Sequence, residues 1–187
     1  MTAFDPCRSF RKLAYNNRLA NHRLHEACSK LLPGEFEATR ISFFPSIKAT
    51  LNHIVTVDWF YVDALEGGTL GPKAWAQEEP FDAIADLTKA QADVDCRLIA
   101  LCEDLDISRL SSIMPLQRTG RIQTERVEDV LSHLFQHQTH HRGQVHAMLS
   151  GTSVPPPQLD EFITADDARH RQGDVAALGW NEFKLMH

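Results

Sequence analysis

Five histidines fall within the fourteen residues from His133 to His146, HLFQHQTHHRGQVH. An imidazole can ligate a metal, relay a proton, or sit as the polar edge of a helix. On a helix each residue turns about 100°, so side chains four apart stack on one face, close enough for two imidazoles to hold one ion. Both His133/His137 and His137/His141 have that spacing. The apolar stripe of the segment, Val127, Val130, Leu134, Val145 and Met148, separates the two pairs. Its centre includes His141 and lies within about 60° of His137, whereas His133 and His140 point toward solvent.

A lone inward histidine is most simply a neutral core residue with one hydrogen bond. Two at i and i+4 are harder to satisfy in an apolar face, and a shared divalent cation would take one nitrogen from each. The candidates for a third ligand are His22, His25 and His53. His53 is flanked by Leu51, Ile54, Val55 and Val57, so solubility does not explain it, while His22 and His25 read as a solvated or helix-packing pair. Three histidines leave a fourth position for water or substrate, the pattern of a catalytic rather than a structural zinc. HExxH peptidases use the same pair, but a Glu after the first ligand activates their water. Here that residue is Gln138, which disfavours peptidase chemistry.

The elements that must hold these residues are helices. Asp5-Pro6 suits an N-cap and first helical position, and helical spacing continues to Leu32 before Pro33-Gly34. A second, most apolar helix is expected from about Ser42–Pro45 to Gly67-Gly68, and after a loop over 67–80 a third spans about 81–105. From Arg109 to Gln123 the period breaks, and Arg118-Thr119-Gly120 is turn-like between stretches that could pair as a small hairpin. Thr124 is expected to cap the fourth long helix, which carries the histidines to Ser150-Gly151, with Glu125, Glu128 and Asp129 near its positive end.

Beyond Pro155-Pro156-Pro157 the expectation is a tail with a possible short helix, packed back through Leu159, Phe162, Leu178, Trp180 and Phe183. The fold class is therefore all-α, an up-down four-helix bundle over about 5–151 with a tail over 152–187, in one domain.

Composition excludes several functions. The net charge is −6 and the pI about 5.9, so the basic surface of a nucleic-acid binder is missing. No apolar run approaches the roughly 20 residues that span a bilayer, and the N-terminus lacks the apolar core of a secretory signal. Cys7, Cys28, Cys96 and Cys102 form no CxxC pair and read as free thiols, consistent with a cytoplasmic location.

HQTHHRGQV, with LNHI in the second helix and YNNRLANHRL in the first, resembles the DinB family of bacterial metal-binding four-helix bundles. The likeness covers about residues 5–163 and includes PPPQLDEF after the last long helix. It implies one divalent metal per chain, zinc or nickel, held by His53, His137 and His141. His140 and Arg142 match the motif without being ligands. It also implies kinship to S-transferases that use bacillithiol or mycothiol, and a homodimer.

Three other polar residues belong beside this set. Asp58 shares the buried stripe of Ile47, Ile54 and Leu65 and needs a partner, for which Arg142 is placed to form a salt bridge; a role in orienting a ligand histidine is the alternative. Gln144, one turn from His140 and two from His137, is either a packing residue or within reach of the open metal position. Gly143 suggests close helix packing.

Three functions remain open: a metal-dependent thiol S-transferase acting on small electrophiles; a non-catalytic metal-binding stress-response module; and a metal-free interaction protein. In the last, Trp75, Phe81 and Trp180 would be exposed on a homodimer surface.

Overall fold

The computed structural model describes residues 4–160 and 164–186. It is mostly helical: α1 (Arg8–Cys28), α2 (Ile47–Leu65), α3 (Ile84–Glu103), a single turn α4 (Ile107–Leu110), strands β1 (Ile113–Arg118) and β2 (Arg121–Arg126), α5 (Val127–Leu149), α6 (Ala168–Ala177) and α7 (Glu182–Met186).

Local chemistry sets the ends. The Asp5 carboxylate accepts the Cys7 N–H at 2.9 Å, but α1 starts only at Arg8, with Cys7 at the cap position and no side-chain cap bond, so Asp5-Pro6 does not form the cap and first helical position expected of it; the helix ends at Cys28, short of Leu32. The Ser46 hydroxyl accepts the Ala49 N–H at 3.0 Å to open α2. Despite its β-branched residues, α2 is helical because it is buried on nearly every side, only Lys48, His53, Trp59 and Asp63 escaping full burial. In the loop that follows, Gly71–Trp75 forms a 3-10 turn, and the Gly71 backbone at φ 54° lies so close to Gln117 that a Cβ would collide with its side chain.

The hairpin is present, antiparallel, with Ile113 opposite Arg126 and Gly120 turning the chain at φ 71°. It runs farther than the sequence suggests: Thr124 pairs with Pro115 inside β2, and α5 begins at Val127 without a side-chain cap. Met114 and Leu116 point into the core, and this packing extends the strand past the residue that local propensity marks as a cap.

Helices α1 and α2 each pack mainly on α3 and α5. The chain thus crosses between opposite corners at residues 29–46 and again at 104–126, rather than stepping from neighbour to neighbour as a simple up-down order would. The tail forms two helices instead of one, both packed on α1. Leu159, Leu178 and Trp180 rest against the core and Val175 and Leu185 enter it, but Phe183 is largely exposed; Phe162 lies outside the described residues. Trp75 and Phe81 are also partly buried on the core, so these aromatics do not form the exposed patch expected of them. Gly143 is exposed and a Cβ there would meet nothing, which removes close packing as its explanation.

Candidate metal centre

Helix α5 buries a continuous stripe through Val127, Val130, Leu134, His141, Val145 and Met148, with Gln138 and Arg142 also turned inward. That stripe faces α2, which brings His53 against His137 and His141. The Nε2 atoms of His53 and His137 are 3.0 Å apart, and one ligating atom from each of the three histidines lies within 4.8 Å of the others. Phe44, just before α2, packs its ring 4.3 Å from that of His53 and 5.5 Å from that of His141. His133 and His140 are exposed, as the helical wheel requires.

Burial disfavours the imidazolium forms. Desolvation, reinforced by the neighbouring histidines, pushes His53 down to about 4 and His137 to about 3, and His141 is lowered by the same burial. At neutral pH all three rings are uncharged, the state in which imidazole is a ligand. His137 Nδ1 is buried without a hydrogen-bond partner. Gln144 Oε1 accepts from His141 Nδ1 at 2.8 Å, which fixes the proton there and leaves the Nε2 lone pair for another bond. Gln144 therefore acts through His141, while its amide lies 3.1 Å from His140 Nε2.

This set fits a divalent ion. Nitrogens bound to one tetrahedral zinc at ~2.0–2.1 Å stand about 3.3 Å apart, and the His53–His137 separation is already of that size. Among the described residues no Asp, Glu or Cys joins the group.

The salt bridge expected between Asp58 and Arg142 does not form. Gln138 donates to Asp58 Oδ1 at 2.9 Å and Gln91 to Oδ2 at 2.7 Å, while Arg142 donates to the side-chain oxygens of Asn17 and Asn21. Asn17 and Asn21 in turn donate to Asp95, which Gln91 links back to Asp58. Amide side chains thus stand between the charges, because Gln138 occupies the turn of α5 that faces Asp58 and Arg142 is aimed at α1. Desolvation pushes Asp58 up to about 7 and Asp95 to about 6, and draws Arg142 down to about 10.

Sequence reading missed this network: Gln138 was informative only as a missing base, and Asn17, Asn21, Gln91 and Asp95 carried no role. The available signal was polar residues four apart on otherwise apolar faces, Asn17/Asn21 and Gln91/Asp95.

The remaining histidines lie elsewhere. His25 is a core residue beside the Thr88 hydroxyl at 3.1 Å, its pKa pushed down to about 3 by burial. His22, Glu26 and Asp174 form a second set of donors, but Arg23 already holds Asp174 at 2.8 Å and Lys30 lies 3.5 Å from Glu26. All four cysteines are free and only Cys96 is exposed. Among the described residues no helix is long and apolar enough to cross a membrane.

Comparison with known proteins agrees with the geometry. No curated protein matches the chain. A DinB-like protein from Bacillus cereus ATCC 10987 superimposes with a TM-score of 0.55 at 19% identity, covering 77% of this chain and 91% of that one. A DinB-like protein from Bacillus subtilis, YjoA, gives 0.55 at 17% identity, covering 76% and 95%. At these identities the likeness is one of fold. The sequence model of the DinB family matches residues 7–174, nearly the full chain. The protein, with its three-histidine group between α2 and α5, belongs to the DinB family.

Proposed function

We propose that this chain is a divalent-metal-dependent S-transferase that joins a low-molecular-weight thiol to a small electrophile. The observation that carries the reading is a set of three neutral histidines with no fourth protein ligand among the described residues, which suits an ion that must also accept an external ligand. Zinc or nickel held by His53, His137 and His141, one per chain, would bind the thiol as thiolate and lower its pKa. In the transfer the sulfur forms a bond to the electrophile's carbon, the leaving group departs with the electron pair, and the thiol proton passes to solvent. The protein's own part is to keep the imidazoles uncharged, to orient His141 through Gln144, and to shield one side of the centre with Phe44. Gln138 supplies no base; its amide is committed to Asp58.

The test begins with elemental analysis of protein purified without a nickel column, wild type beside His137→Ala. About one divalent ion per chain, lost in the variant, is expected. Turnover with bacillithiol, mycothiol or glutathione and a generic electrophile should then vanish in His53→Ala; absence of turnover with every thiol would defeat the transferase reading.

The second reading, a metal-binding stress-response protein without catalysis, draws on the make-up of the group itself: three histidines, joined among the described residues by no Asp, Glu or Cys that could act as a base at the ion. Metal occupancy without turnover would favour it. We also propose a cytoplasmic homodimer, which light scattering of the purified protein would test for assembly.

A further inference from the structure

A cavity of about 530 Å³ opens beside the three histidines, and His53 belongs to both. Phe44, Pro45, Ala49, Val57 and Trp75 give it apolar walls. The Phe44 ring lies 4.3 Å from that of His53, and exposed Phe43 packs edge-on against Phe44 at 4.9 Å, so the apolar surface runs on from the cavity wall toward solvent.

Polar anchors are scarce within these walls. The buried Thr56 hydroxyl donates to the His53 carbonyl at 3.1 Å. Glu78 and Glu79 are exposed, and Lys48 stands 3.4 Å from Glu79. Carboxylates in water are hydrated and screened, and a divalent ion on His53 opposes them, so charge does not choose the occupant. What can hold a molecule here is contact with the walls together with the ion at His53. Two aromatic side chains and a volume of this size suit an apolar body about as large as a ring.

We infer that the cavity beside His53 holds the apolar body of a small ring molecule whose polar end is turned to the metal centre. The inference rests on the reading of the three histidines as a metal site. Within the S-transferase reading it names the class of the electrophile: a compact aromatic molecule, recognised by burial of its ring and not by its charge.

Acetohydroxamate and benzohydroxamate carry the same metal-binding group and differ by a ring. Their binding to zinc-loaded protein is measured by calorimetry, with bound zinc quantified in the same samples and the Val57 methyl signals followed by NMR. Benzohydroxamate should bind roughly tenfold more tightly or better, and it alone should shift the Val57 methyls. Trp75→Ala removes a wall and Ala49→Leu fills the space; each should bring the two affinities together while leaving that of acetohydroxamate as in wild type. Equal affinities in wild type, or an advantage that survives both variants, would overturn the inference and leave the metal centre standing. Protein that takes up no zinc would defeat the metal reading and the inference together. The expected order of binding without turnover by any thiol would uphold the inference and defeat only the transferase reading.

Discussion

At the scale of single residues the centre depends on proton placement. His53 and His137 are pushed down to about 4 and 3, below the ordinary imidazole value, so protons compete less well with a metal than they would at free histidine. The direction is clear: a lowered pKa extends the neutral ligand to more acid pH. Occupancy measured by elemental analysis after dialysis should persist to more acid pH than free imidazoles would allow, and should be lost as the pH passes about 4, where His53 takes up its proton. Gln144 makes a separate prediction. Gln144→Leu removes the acceptor that fixes the His141 proton on Nδ1, and metal affinity in competition with a chromophoric chelator should drop roughly 10–100-fold. The unfolding midpoint of the metal-free variant should stay near wild type, since Gln144 is half-buried and closes no core contact.

At the scale of elements, much of this was legible and some was not. The long helices follow from a 3.6-residue period, and His53, His137 and His141 were identifiable because one spacing and one apolar stripe point them inward. The fate of Thr124 was not legible, because packing of Met114 and Leu116, rather than local propensity, decides that β2 continues through it. Nor was the separation of Asp58 from Arg142: a wheel shows that two residues face inward, but not which helix each side chain reaches. The resulting network has a measurable consequence. Asp58 has a folded pKa raised to about 7 against an unfolded value near 3.8, so its contribution is most favourable below the lower value and is lost as pH rises through the upper one. Asp58→Asn carries no charge to desolvate, and after one amide turns it can donate to the buried Oε1 of Gln91 or Gln138, neither of which has a partner. In urea unfolding the variant should gain on wild type by about 2–3 kcal/mol between pH 5 and pH 8. A difference that is constant with pH would mean that Asp58 is ionised throughout.

At the scale of the whole molecule, the C-terminal helices and the metal centre occupy different sides. Helices α6 and α7 pack on α1, whereas the histidines lie between α2 and α5. The tail is nevertheless tied into the core: Arg171 is fully buried and paired with Glu182, Val175 and Leu185 are buried, and Trp180 meets Tyr15 edge-on at 4.8 Å. Arg23 adds bonds from α1 to Asp174 and to the carbonyls of Gln158 and His170. If the bundle and tail form one domain, as we propose, ending the chain after Asp160 uncovers this surface and should lower stability by about 3–5 kcal/mol, the size of losing two or three well-packed side chains. Because the centre is on the other side, the truncated protein should still take up about one ion per chain below its melting temperature, and that ion should raise its melting temperature by as much as it raises that of the full chain. Calorimetry with and without metal checks both halves. Loss of stability with metal uptake preserved assigns the tail to support of α1, whereas loss of both would show that α1, through the Asn17, Asn21 and Arg142 contacts, transmits the tail's packing to α5.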